Sequence, residues 1–154
     1  MAIVWGCFFM IKIRSNRIVV GCTSMCLPEG MCITNVVEGG DGIVFFAEDF
    51  SFSISVISKL SADTHDEKKE DLVGEIKGDD NMDVCALSLN GLKGYYTSYK
   101  DSTKEHYEAR LKNIINGDAR FVYIHITAFL KKTSLTEVLN IPAIKKFFCD
   151  LRAE

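Results

Sequence analysis

The sequence predicts an α+β domain with a mostly antiparallel sheet built from hairpins, and three observations carry that expectation. Phe50, Phe52, Ile54 and Val56 alternate with Ser51, Ser53 and Ser55. A period of two sets one face of a strand on a core and the other in water, which parallel strands covered on both faces do not show. The dipeptide Asn90-Gly91 sits between two apolar runs and suits the positive φ angles of a type I′ hairpin turn. Helical signals gather in the last third of the chain, without strict strand-helix alternation and without an internal repeat.

Taken in order, Ile3 to Ile13 is almost wholly apolar, Arg14-Ser15-Asn16-Arg17 interrupts it, and Ile18 to Cys22 resumes it, predicting a hairpin. Cys22 to Gly30, with Pro28 and Gly30, reads as a loop. Met31 to Val37 reads as a third strand, stopped by Glu38-Gly39-Gly40-Asp41-Gly42, and Ile43 to Phe46 as the next. After the alternating Phe50 to Val56 come residues 61–82, an acidic stretch expected to be an exposed loop or a weak helix. Asp83 to Leu89 and Leu92 to Tyr99 flank Asn90-Gly91 as a second hairpin.

Ser102 with Glu105 has the form of a capping box, and Tyr107, Leu111, Ile114 and Ile115 recur at helical spacing before Asn116-Gly117, so a helix is predicted over 103–116. Arg120 to Leu130 is a long strand with apolar residues on both faces. Ser134 with Glu137 opens a short helix over 134–140. Pro142 opens a last one over 142–152, with Ile144, Phe147, Phe148 and Leu151 on one stripe.

At 154 residues, 47% apolar and 25% charged, the chain has the size and composition of one globular domain, 1–154, rather than of a disordered segment. The net charge of −3 and scattered bases, of which Lys131, Lys132, Lys145 and Lys146 form the only modest cluster, give no reason to approach nucleic acid. No segment has the roughly 20 apolar residues that span a membrane. MAIVWGCFFMIKIR has no base ahead of its apolar run and no small-residue cleavage pattern after it. Val19-Val20-Gly21-Cys22 resembles a lipoprotein cleavage box, but Lys12, Arg14 and Arg17 follow the apolar run instead of preceding it. The expectation is a cytoplasmic protein with reduced cysteines, in which Cys7, Cys85 and Cys149 pack as small hydrophobes.

Candidate sites are few. SADTHDEKKEDLVGEIKGDDNMD, from Ser61 to Asp83, has only Leu72, Val73 and Ile76 to anchor it, so it is expected to be solvated, mobile and of little weight in stability. Asp79, Asn81 and Asp83 copy the first ligands of a calcium loop, but Val84 stands where the turn glycine belongs and Asn90 where the bidentate glutamate belongs. Cys22, Cys26 and Cys32 offer too few ligands at the wrong spacing for zinc. No cofactor or metal is expected.

Nucleophilic catalysis would need a thiol and a base, for which Cys22 or Cys26 with His106 or His125 are the available parts. No glycine-rich phosphate loop or nucleophile elbow accompanies them. The favoured expectation is a non-enzymatic protein-interaction or self-assembly module, a homo-oligomer or the binder of a protein partner. Tyr95, Tyr99, Phe121 and Tyr123, on the outer face of the sheet, would supply its contact surface.

Overall fold

The computed structural model describes residues 11–14, 17–36, 41–79 and 81–153. In chain order the elements are β1 Ile11–Arg14, β2 Arg17–Val20, β3 Thr23–Cys26, β4 Met31–Val36, β5 Gly42–Ala47, β6 Phe52–Ser61 and α1 Lys69–Glu75. Then follow β7 Val84–Leu89, β8 Leu92–Lys100, β9 Lys104–Ile115, β10 Asp118–Phe129, α2 Leu135–Leu139, α3 Pro142–Asp150 and β11 Arg152–Ala153. They form a seven-stranded sheet of order β4-β5-β6-β10-β9-β8-β7 and a four-stranded sheet of order β1-β2-β3-β11. Every pairing is antiparallel, and the helices are short. The expected runs Ile3 to Met10 and Glu38-Gly39-Gly40 lie outside the described residues.

One core joins the two layers. Phe45 of β5, Ile54 and Val56 of β6, Ile124 and Ile126 of β10 and Leu111 of β9 point to the same side of the large sheet. Against them pack Val20 and Met25 of the small sheet, Val138 of α2 and Ile144, Phe147 and Leu151 at the chain's end. The terminal helices form for the reasons legible in their sequence. Ser134 Oγ accepts the Glu137 backbone N–H at 3.2 Å, and Pro142 occupies the first turn of α3 with its fixed φ. After α3 the chain turns back into β11, which pairs Arg152 with Ser24, so it ends on a strand and not on the expected helix. The loop expected over Cys22 to Gly30 likewise contains β3.

The helix expected over 103–116 is β9. Its side chains alternate: Tyr107, Ala109 and Leu111 are buried on the core side, while His106, Glu108, Arg110 and Lys112 stand on the other. Tyr107 and Leu111 satisfy a strand period as readily as a helical one, because four residues are both two strand repeats and about one helical turn. Pairing along most of its length with both β8 and β10 decides for the strand. The Ser102 cap is not formed; Asp101 Oδ1 instead accepts the backbone N–H groups of Thr103 and Lys104 at 3.0 and 2.9 Å in the turn between strands. Asn116-Gly117 is no helix stop but a second Asn-Gly hairpin turn. Its φ angles of 52° and 83° match the 51° and 89° of Asn90-Gly91.

The acidic stretch also departs from expectation. From β6, near the middle of the large sheet, the chain must reach β7 at its edge, passing β10, β9 and β8. Residues 62–79 make that crossing as a strap over the face opposite the core. Most of its side chains are exposed, but Leu72 of α1 is fully buried, and Glu67 is buried where Arg110 and Lys112 meet it. A carboxylate-rich segment is thus placed by two cations that β9 presents on that face.

Gly21 fixes how the layers meet. It lies in the turn between β2 and β3 at φ 56°, and a Cβ built there would come within 1.9 Å of the Ser58 carbonyl oxygen of β6. Neither the backbone conformation nor the space admits a side chain. Gly21→Ala is expected to lower unfolding free energy by about 2 kcal/mol or more, while Gly30→Ala, with open space around it despite a φ of 80°, costs less; urea denaturation of the two variants checks the order.

Candidate functional site

Opposite the core, the large sheet presents cross-strand rows of polar and aromatic side chains. One row runs Tyr99, His106, Thr127, Ser53 across β8, β9, β10 and β6; the next runs Thr97, Glu108, His125, Ser55. The second strand-period face of β9 therefore delivers histidine, carboxylate and two cations to one surface, flanked on β10 by Phe121, Tyr123, His125 and Thr127.

Glu108 is the centre of this face. Its side chain is 5% exposed, and its two oxygens accept the hydroxyls of Tyr99 and Tyr123, one from each neighbouring strand. His125 Nδ1 lies 4.0 Å from Glu108 Oε1, while its Nε2 shares a hydrogen bond of 2.9 Å with His106 Nδ1. His106 Nε2 in turn lies 2.9 Å from Asp101 Oδ2, and its ring stacks on Tyr99 at 4.7 Å. The result is a polar chain from a surface carboxylate, through two imidazoles, towards a buried one.

Electrostatics shifts three members of this chain. Burial, together with the hydrogen bond to Glu108, pushes the Tyr99 phenol far above its ordinary value, so it stays a donor. Burial pushes His125 below its ordinary 6.5, so its ring is neutral near pH 7, with one nitrogen a donor and the other an acceptor. Asp101 is pulled down to about 2 by His106 and by the backbone N–H groups of its turn. Such an array holds hydrogen bonds and orients aromatic rings; no thiol or serine nucleophile is bonded into it.

The thiols lie elsewhere. Cys22 Sγ is 3.4 Å from Ser58 Oγ, on the core side of β6, and Cys26 Sγ donates to Asp150 Oδ2 at 3.1 Å beside α3. The hydrogen bond to Asp150 pushes the Cys26 thiol up, away from the reactive thiolate. The large sheet stands between these cysteines and His106 and His125, so the thiol and imidazole candidates are not brought together. Cys85 and Cys149, expected in apolar packing, are exposed, on the edge strand β7 and on the outward side of α3; Cys7 lies outside the described residues.

Of the four aromatic candidates, Tyr95, Tyr99 and Tyr123 are half-buried on the outer face. Phe121 is buried beneath the Arg110 guanidinium, 4.6 Å from its ring, and is not a free contact residue. The strap causes this, because Glu67 and Glu75 hold Arg110 in place at 2.8 Å each. The sequence reading missed Glu108, Asp101, Arg110 and Lys112. For Glu108, Arg110 and Lys112 the signal is the strand period of β9, which a helical reading scatters around a cylinder; Asp101 lies in the turn before it.

Among the described residues no three His, Cys, Asp or Glu side chains gather as a metal site, and no helix is long and apolar enough to cross a membrane. No protein-family profile matches the chain, and no curated protein matches it. The solved structures that share its fold include these two. One is a protein of Bacteroides thetaiotaomicron VPI-5482 solved at 1.50 Å, with TM-score 0.56 and 12% identity; the match covers 95% of this chain and 48% of that one. This chain therefore spans about half the length of that protein. The other is LpqN, involved in cell envelope biogenesis of Mycobacterium tuberculosis, with TM-score 0.53, 15% identity and coverage of 84% and 81%. At these identities the likeness is one of fold alone.

Because His125 has a lowered pKa in the folded state, the unfolded chain binds its proton first, and this contribution to stability is lost as pH falls below 6.5. Asp101, depressed from 3.8 to about 2, adds a second loss between those values. Urea unfolding across pH 8 to 3 should show both phases, and His125→Gln should remove the upper one alone.

Proposed function

We propose that this chain is a non-enzymatic protein-interaction or self-assembly module whose contact surface is the outer face of the large sheet, around Tyr95, Tyr99 and Tyr123. We keep with it the expectations of a cytoplasmic setting and reduced cysteines. One observation carries the reading. The helices α2 and α3 and the small sheet all pack on the core face, while Ser53, Ser55, Tyr123, His125 and Thr127 remain half-exposed on the other, beyond the strap. Tyrosine presents a large rigid ring at low entropic cost, and Glu108 fixes two of these rings before any partner arrives.

A thiol-dependent enzyme using Cys22 or Cys26 with a histidine base is the competing idea. It draws no support from a layout in which Cys26 is bonded to Asp150 and the histidines are bonded to one another. Light scattering over a concentration series tests the self-assembly reading directly. The expected result is a mass rising above the 17.2 kDa of one chain at tens of micromolar. A mass fixed at that value, on a protein that binds no apolar dye, contradicts it.

A further inference from the structure

We infer that the edge strand β7 is a self-pairing site, at which two copies of this chain join antiparallel about a twofold axis and continue the seven-stranded sheet across both. The inference rests on the self-assembly part of that reading and gives it a second contact, at the sheet's edge and apart from the outer face. Among the described residues, strand β7 pairs with β8 alone and ends the sheet, so half of its backbone N–H and C=O groups face outward.

Edges of this kind are normally guarded by charge, proline, a bulge or a cover, because they accept other strands. Val84-Cys85-Ala86-Leu87-Ser88-Leu89 has no charge and no proline, pairs without a break in register, and exposes Cys85, Ala86 and Ser88. The opposite edge, β4, is interrupted by a bulge between Ile33 and Asn35. Guarding is present at that edge and missing at this one.

Two further features favour a second copy over an unrelated strand. An antiparallel twofold sets the start of one β7 beside the end of the other. Exposed Asp79 and Asp83 precede its start, and exposed Lys93 stands beside Ser88 near its end, so each copy brings its acidic end to the other's basic end. On the core side, Leu87 and Leu89 are only partly buried against the core, and a paired copy extends that apolar row from both directions.

The test compares wild type with Ala86→Lys and Ser88→Lys by sedimentation velocity over a concentration series, with hydrogen exchange on the wild type. Dimerisation is expected, together with slower exchange of amides in 84–89 at high concentration and at least tenfold weaker association in both variants. Circular dichroism confirms that each variant is folded; should one misfold, the other variant and the wild-type exchange decide. A dimer that survives both lysines and is lost in Ser53→Arg, on the far side of the outer face, overturns the edge assignment and leaves the self-assembly reading standing. A monomer at every concentration overturns both.

Discussion

The carboxylate of Glu67 is where the sheet and its longest connection are tied. Its side chain is 1% exposed and meets Arg110 Nε at 2.8 Å, with the Lys112 ammonium, itself 5% exposed, at 3.5 Å. A buried charge of either sign is costly when alone, so the strap and β9 stabilise each other only as a set. Arg110 also reaches Glu75, and Lys112 donates to the His65 carbonyl at 3.0 Å and lies 3.6 Å from Asp63 Oδ2, so the same two cations hold the strap at four of its residues. The path from β6 to the edge strand β7 depends on that knot, and Leu72 is pressed into the sheet because of it.

The knot also divides the outer face. At its end of the sheet, Phe121 is buried under Arg110 and removed from any interface. Beyond it the two histidines, Tyr99 and Tyr123 stay partly exposed, and Glu108 settles the two tyrosines from below by accepting from β8 and β10 together. Two carboxylates therefore do opposite things on neighbouring rows. Glu67 closes the surface by drawing cations over it, and Glu108 leaves it open with its rings in fixed positions.

Much of this fold was legible wherever local chemistry had a single reading. Asn90-Gly91, the Ser134 cap, Pro142 and the serine alternation in β6 each name one structure, and each is found there. The misreadings occur where two periods coincide. Tyr107 and Leu111 are four apart, and Ala109 between them, small and easily passed over, was the residue that distinguished strand from helix. Asn116-Gly117 reads as a stop only if 103–116 is a helix; as a hairpin turn it repeats the Asn90-Gly91 found 26 positions earlier. The site followed the same error, since Glu108 and its neighbours share a face only in a strand. For the strap, composition counted the carboxylates but could not locate the two cations 35 to 45 residues away that give them a structural role.

A double-mutant cycle between Glu67 and Arg110, by urea unfolding of Glu67→Ala, Arg110→Ala and the double variant, tests this account most directly. If the strap is held by a buried ion pair, the single changes each lower stability by about 2 to 4 kcal/mol, and the double variant loses at least about 1 kcal/mol less than their sum. Small losses that add, each below about 0.5 kcal/mol, would show an acidic segment resting loosely on the sheet, and the account of the outer face would fail with it.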